Sequence, residues 1–279
     1  EAVNFPPIPG VVDALTCSVR VVLGDMPEDA DDFGVWHEGT RVIRLNKNHP
    51  RWLQWQTLYH ELTHGLSHRL VGGGSTVCLN GIQSGGMGEG WGDFIAASFL
   101  NDPVVGAYVT GDATVGIRRA SMANSTFNYG NIKDGSLNEV HDAGEVWAAT
   151  LWTVRNGNGT PGVGNLGGPL TEWLVVQGMK LTPCNPTMLQ ARDGIITADQ
   201  QLNGGNNTCM LWKAFAFRKM GLSASSPNHN STSAIVLATD FPLECTIDDG
   251  GPLLYDFSIT SNPTSRTIAA GTSTTYTIN

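Results

Sequence analysis

The chain has 279 residues, a formal net charge of −9 at pH 7 and a pI of about 5.1. This acidic balance argues against nucleic acid as a partner, and no run is long and apolar enough to predict a membrane span. Charged residues make up only 15% of the chain, while glycine and asparagine are frequent, as is common in loop-rich extracellular proteins.

The first 50 residues carry few helix signals. Residues 19–23 and 40–45 are rich in β-branched side chains and read as strands. Between them lies a group of acidic residues: Asp25, Glu28, Asp29, Asp31 and Asp32. Two interpretations stay open for this group, a solvated loop and a calcium site, since Ca²⁺ prefers hard oxygen ligands.

Residues 52–58 can form a helix without a Pro or Gly break, and they lead into an H-E-x-x-H pattern at residues 60–64. On a helix, residues four apart share one face, so His60 and His64 would direct two imidazoles at one point, with Glu61 beside them. Two neutral nitrogens on a rigid helix suit Zn²⁺, and the adjacent carboxylate suits a general base acting on a water molecule. A chance match would leave two surface histidines, so the prediction needs a third ligand.

A third ligand is available in the glycine-rich segment 85–97. Beyond its glycines this segment reads as a helix, on which Glu89 and Asp93 are four apart and share a face. Glu89 could bind the metal, and Asp93 could accept the outward N–H of a ligating histidine and so fix its ring. The alternative is a glycine-rich turn in which an acid only stabilises the first turn of a helix.

Helical patterns continue downstream, at residues 138–154, 170–179, 187–202 and 208–220. Asn138 is the expected N-cap of the first of these helices. Asn185 and Pro186 are expected to begin the third. After residue 246 the composition changes to a linker, followed by alternating strand patterns at 256–260 and 272–278.

Five cysteines permit two disulfides with one thiol left over. Because three of them lie in the C-terminal half, at positions 184, 209 and 245, we expect at least one bridge there. The chain shows no signal peptide and begins at Glu1, so it reads as a mature or excised fragment.

A series of motifs agrees in order with one family. These motifs occupy residues 60–67, 85–91, 139–141, 144–149, 183–187, 191–193 and 212–216. They resemble the fungalysin family of secreted zinc metalloproteases, which are thermolysin-like enzymes of the glutamate-zincin type. The resemblance extends over residues 23–245. The family usually carries Tyr at the position of Leu62, Ser at Gly92, and Ala-Ile at Asp142-Ala143, and none of these departures removes a ligand.

The resemblance implies an α+β, two-lobed metalloprotease. Its catalytic domain would cover residues 1–246, with a short β lobe at 1–50 and a mainly helical lobe at 51–246. An edge strand within residues 35–45 would pair with the peptide substrate. Residues 247–279 would form a linker and the truncated start of an Ig-like β module, because two strands cannot hold a sandwich core.

The resemblance also assigns roles to individual residues. It implies that His60, His64 and Glu89 bind one zinc ion, and that Glu61 is the general base. It further implies that His141 stabilises the oxyanion, for which a well-aimed donor can contribute a few kcal/mol. Asp142 beside His141 should raise the pKa of that histidine.

Arg118 or Arg119 could supply a guanidinium that holds a substrate carbonyl, as in thermolysin-like sites, and a surface arginine is the alternative. We therefore predict a secreted, extracellular zinc endopeptidase that acts on proteins or peptides. It should be a monomer, with an inhibitory propeptide in its precursor. Two alternatives are a zinc aminopeptidase and an inactive, metal-stabilised binding or adhesion module.

Overall fold

Helices dominate the part of the chain that the computed structural model describes, namely residues 20–24, 34–37, 42–46, 55–74, 78–246, 261–262 and 277–278. These residues contain eight α-helices and a three-stranded sheet, so the predicted α+β class is confirmed. Backbone contacts divide the chain into two units, Glu1–Cys245 and Thr246–Asn279. None of the described helices is both long enough and apolar enough to cross a membrane.

A small sheet lies at the N-terminal end of the first unit. Its strands are β1 (Arg20–Gly24), β2 (Gly34–His37) and β3 (Val42–Asn46), in the order β1-β3-β2. β3 runs parallel to β1 and antiparallel to β2. Among the described strands β2 thus stands at one edge of the sheet, and it overlaps residues 35–45, the range predicted to contain an edge strand. The acidic group at residues 25–32 lies outside the described residues.

The eight helices follow the sheet. They are α1 (Trp55–Leu70), α2 (Ile82–Leu100), α3 (Ala107–Thr110), α4 (Tyr129–Lys133), α5 (Val140–Asn156), α6 (Gly168–Leu181), α7 (Met188–Leu202) and α8 (Thr208–Phe217). One short 3₁₀ turn, Val71–Gly73, lies between α1 and α2, and another, Leu243–Thr246, comes after α8.

Helix α1 lies between two apolar clusters because leucines recur every four residues along one face. Leu58 and Leu62 pack with Trp36, Ile43 and Leu45 of the sheet. Leu66, one turn further on, belongs to the main helical core. The helix that carries both predicted histidine ligands thus packs against the sheet through its N-terminal half and against the helical core through its C-terminal half.

Helix α2 begins earlier than predicted. The glycines at 85, 86, 88, 90 and 92 lie inside it and do not form a preceding turn. Glycine is a poor helix former in isolation, but here it permits a close approach to α5. A methyl group at Gly90 would lie 2.6 Å from the carbonyl oxygen of Gly144, and one at Gly86 would lie 2.7 Å from Cβ of Ala143.

Two predicted caps are wrong. The N-cap of α5 is Glu139, not Asn138, and its side chain accepts a hydrogen bond from the His141 N–H. The N-cap of α7 is Thr187, which forms a reciprocal capping box with Gln190. Asn185 instead adopts a left-handed backbone at φ 49°, in the turn that precedes the helix.

Two disulfides hold the first unit together. They join Cys78 to Cys184 and Cys209 to Cys245, which confirms two bridges and the predicted bridge in the C-terminal half. Cys17 lies outside the described residues. In the second unit, β4 (Ser261–Asn262) and β5 (Thr277–Ile278) pair antiparallel. The Ig-like module stays a prediction.

Candidate metal centre

Three predicted ligands meet between α1 and α2. The Nε2 atoms of His60 and His64 are 3.1 Å apart. Oε2 of Glu89 is 3.2 Å from Nε2 of His60, and Oε1 of Glu89 is 3.5 Å from Nε2 of His64. In the described part of the chain, these three residues form the single group of His, Cys, Asp or Glu donors close enough to hold a metal ion.

The donor set fits a zinc ion. Zinc–nitrogen and zinc–oxygen bonds of about 2.0–2.1 Å in a tetrahedron place neighbouring donors about 3.3 Å apart. The three separations observed, from 3.1 to 3.5 Å, bracket this value. Two imidazoles and one carboxylate are also a ligand set of catalytic zinc sites, which keep a further position open. Glu61 is buried on α1, directly after the first ligand.

Behind the ligands, Asp93 lies one turn after Glu89 on α2. Its Oδ1 is 3.0 Å from Nδ1 of His60, so the predicted contact with a ligating histidine is present in the geometry. The Arg118 guanidinium donates two hydrogen bonds to the same carboxylate, from Nε at 2.7 Å and from Nη2 at 2.9 Å. Burial by itself would raise the pKa of Asp93, but Arg118 and His60 outweigh it and hold that pKa below its usual value.

Arg118 therefore has a different contact from the predicted one. Its side chain is only 12% exposed, and two of its nitrogens donate hydrogen bonds to Asp93. A contact between Arg118 and a substrate carbonyl stays a prediction. The observed contact places this arginine behind His60, a predicted zinc ligand. There Arg118 holds the Asp93 carboxylate, which in turn contacts the His60 imidazole.

The ligands differ in their affinity for protons. Burial would lower the pKa of His60, but hydrogen bonds with Asp93 and Glu89 raise it to about 10. Burial lowers the pKa of His64 to about 4. For Glu89, burial would raise the pKa, yet the neighbouring histidines hold it at about 2. Without metal, the site thus keeps one proton on His60 beside an ionised Glu89.

Across the site, His141 stands in the first turn of α5. Its Nε2 is 3.3 Å from Oε2 of Glu89, and its side chain is 42% exposed. Its Nδ1 is 2.9 Å from Oε1 of Glu139, whose other oxygen accepts the His141 backbone N–H. Asp142 was predicted to act on His141. In the structure its carboxylate accepts a hydrogen bond from Arg119 instead.

Two features of the site escaped the sequence analysis. Glu139 holds His141, and the available signal was an acid two residues before a histidine at a helix start. The other is the contact that Arg119 makes with both Asp142 and Glu145 of α5. No sequence spacing pointed to that contact, because the partners are more than twenty residues apart.

Comparison with known proteins gives consistent matches. Residues 44–224 match the sequence model of the fungalysin metallopeptidase family (M36). "Extracellular metalloproteinase 5" of Trichophyton rubrum is 41% identical over 215 residues, which cover 68% of this chain and 33% of the relative. "Extracellular metalloproteinase 9" of Coccidioides posadasii is 40% identical over 211 residues, covering 67% and 32%. The chain thus spans about a third of the length of these relatives.

Proposed function

Because the chain belongs to the fungalysin metallopeptidase family, we propose that it is a secreted zinc endopeptidase that hydrolyses peptide bonds of extracellular proteins. The observation that carries the proposal is the meeting of His60, His64 and Glu89 at zinc-ligand spacing. The matched relatives are named extracellular metalloproteinases, which supports both secretion and the reaction.

Each group around the centre has a task in this reaction. A bound zinc ion would make a water molecule more acidic and polarise the substrate carbonyl. Glu61 accepts the proton of the attacking water and can pass it to the departing amine, since an ionised carboxylate beside the reacting atoms is a suitable base. Asp93 and Arg118 keep the His60 ring at a fixed angle.

His141 donates a hydrogen bond to the oxygen that gains negative charge when the carbonyl is attacked. Its Nε2 lies beside the zinc ligand Glu89, and its exposed face is accessible to a peptide. In the imidazolium form, in which both ring nitrogens carry a proton, Glu139 accepts from Nδ1 and thereby orients the ring for donation from Nε2. A donor held in place before the reaction lowers the barrier more than a mobile one does.

The substrate backbone would lie along β2, at residues 34–37. Among the described strands β2 stands at one end of the sheet, beside β3, and an edge strand can add an extended peptide as a further strand. Trp36 of β2 packs against Gly65 of α1, next to His64, which connects this edge to the helix of the metal centre. We also propose that the enzyme is a monomer and that its precursor carries an inhibitory propeptide.

The proposal is tested with three variants assayed on casein. Glu61→Gln should keep one zinc per chain and lose about 10²–10⁴-fold in kcat, the usual contribution of a general base. Glu89→Ala should lose zinc and activity together. The matched control Glu244→Gln alters an exposed glutamate far along the chain and should behave as the unaltered protein.

Three outcomes would contradict the proposed function or its mechanism. If Glu61→Gln hydrolysed casein at the original rate, the assigned mechanism would be wrong. If only peptides with a free amino terminus were cleaved, and N-blocked peptides were not, the activity would be that of an aminopeptidase. Zinc binding without any hydrolysis would instead favour a binding or adhesion module.

A further inference from the structure

We propose that Arg119 acts as a positioning residue, which locks the start of α5 onto the segment behind the metal centre and thereby sets the place of His141. The inference rests on the proposed function, because it concerns the alignment of a group in that reaction. It assigns a role to three residues, Arg119, Asp142 and Glu145, that the sequence analysis left without this role.

The contacts of Arg119 are numerous and close. Its backbone N–H donates to Oε2 of Glu145 at 2.9 Å, and its Nη1 donates to Oε1 at 3.1 Å. Its Nη2 donates to Oδ2 of Asp142 at 2.6 Å, while Nη1 also binds the second oxygen of that carboxylate. Asp142 and Glu145 are three apart on α5, so one guanidinium holds one turn of the helix from two sides.

The burial of Glu145 separates this arrangement from an ordinary surface ion pair. Fully exposed pairs contribute little to stability. Here the Glu145 side chain is 5% exposed and that of Asp142 is 19% exposed, although Arg119 itself is 48% exposed. Burial raises the pKa of Glu145, so this carboxylate depends on Arg119 for compensation of its charge. We call the three residues the α5 clamp.

The clamp connects the two halves of the centre. Arg118, the preceding residue, binds Asp93 of α2, which orients the zinc ligand His60. Arg119 binds α5, whose first turn carries His141. Two consecutive arginines therefore link α2 to α5 from the side, and the distance between Glu89 and His141 depends on both.

Removing the clamp should affect the transition state more than substrate binding. A displacement of about 1 Å at a catalytic group can cost up to about a hundredfold in rate. His141 meets developing charge and not the ground-state peptide, so the loss should appear in kcat. Asp142 is the better target for substitution, because Glu145 keeps its arginine when Asp142 is removed.

The test compares Asp142→Ala, Arg119→Ala and the double variant with the unaltered, zinc-loaded protein. We expect kcat to fall about tenfold in Asp142→Ala, with KM within about twofold and zinc content unchanged. The double variant should be no slower than Arg119→Ala alone, because Arg119→Ala already breaks the contact with Asp142 as well as the side-chain contact with Glu145. The control Asp134→Ala removes an exposed aspartate that binds Ser136 and should leave kcat unchanged.

Hydrogen exchange supplies a readout that needs no catalysis. Amides of residues 140–146 should exchange faster in Asp142→Ala than in the unaltered protein, while those of α7 should not change. Unchanged exchange together with unchanged kcat would overturn the clamp and leave the proposed function intact. A rise in KM at constant kcat would also overturn it, since Asp142 would then affect substrate binding. Absence of zinc-dependent hydrolysis by the unaltered protein would instead overturn the proposed function.

Discussion

The two helices that carry the candidate metal ligands are held in different ways. Helix α1 rests on the sheet through large side chains, with Leu58 and Leu62 against Trp36 and its neighbours. Helix α2 meets α5 partly through glycines, which bring the two backbones close together. A methyl group on Gly144 would lie 2.8 Å from Cβ of Glu89 and 3.0 Å from the backbone nitrogen of Gly90.

This difference determines how each side can respond to change. Side chains can rotate to make room for an added atom, whereas a backbone inside a helix cannot move without shifting the helix. The α1 side should therefore adapt to substitutions that the α2–α5 contact does not accept. That contact also contributes to the distance between Glu89 and His141, on which the proposed reaction depends.

The largest effect is expected at Gly144. In Gly144→Ala the new methyl group meets Glu89 and the α2 backbone, so the free energy of unfolding should fall by about 2–3 kcal/mol, typical of severe overpacking. Urea unfolding measures this loss, and elemental analysis should show reduced zinc content.

Gly88→Ala is the matched control for Gly144→Ala. The nearest atoms to its new methyl group are Cδ1 of Leu79 at 3.8 Å and Nδ1 of His64 at 4.0 Å, which is ordinary contact. Because alanine favours the helix over glycine, this variant should gain up to about 1 kcal/mol. Equal losses in both variants would show that the α2–α5 contact is not special.

The next largest effect concerns the carboxylate behind α1. Asp93→Asn removes the charge that binds Arg118 and orients His60. Zinc affinity should fall about 10- to 100-fold, as is usual for partners of ligating histidines. Competition with a chromophoric chelator measures the change. Unaltered affinity would mean that packing of α1 on the sheet orients His60 without Asp93.

Zinc binding should also depend on pH. In the metal-free site His60 has a pKa of about 10, so it carries a proton at neutral pH that the metal must displace. Affinity should therefore rise with pH below that value, by up to about tenfold per unit for one released proton. Calorimetry in buffers of different ionisation enthalpy counts the protons, and release of none near pH 7 would contradict a protonated His60.

The smallest effect is expected on the α1 side. A methyl group at Gly65 would lie 2.7 Å from the Trp36 ring, but the ring can shift and the helix gains from alanine. Gly65→Ala should lower the free energy of unfolding by about 1 kcal/mol, and by less in a Trp36→Phe background. A loss as large as that of Gly144→Ala in either background would remove the contrast between the two helices.

Local spacing explains which parts of the site were predictable. The i, i+4 relations of His60 with His64, and of Glu89 with Asp93, follow from helical geometry alone, and the structure places all four side chains together. The start of α2 was not predictable, because glycine disfavours a helix and only the partner helix explains its presence.

The contacts of Arg118 and Arg119 were hidden for a related reason. They join residues that lie 23–26 positions apart, and no periodic pattern marks such a pair. A similar limit applied to the caps of α5 and α7. Asn138 and Asn185 are good capping types, but neighbouring residues satisfied the helix ends instead.

The Cys78–Cys184 disulfide has a consequence for the chain as a molecule exposed to proteases. The bridge closes a sequence separation of 106 residues, which includes Glu89 and His141 and the exposed segment at 158–161. A single cut in that segment would release nothing, because both pieces stay covalently joined. A nicked molecule would therefore migrate as one band until a reductant separates its parts.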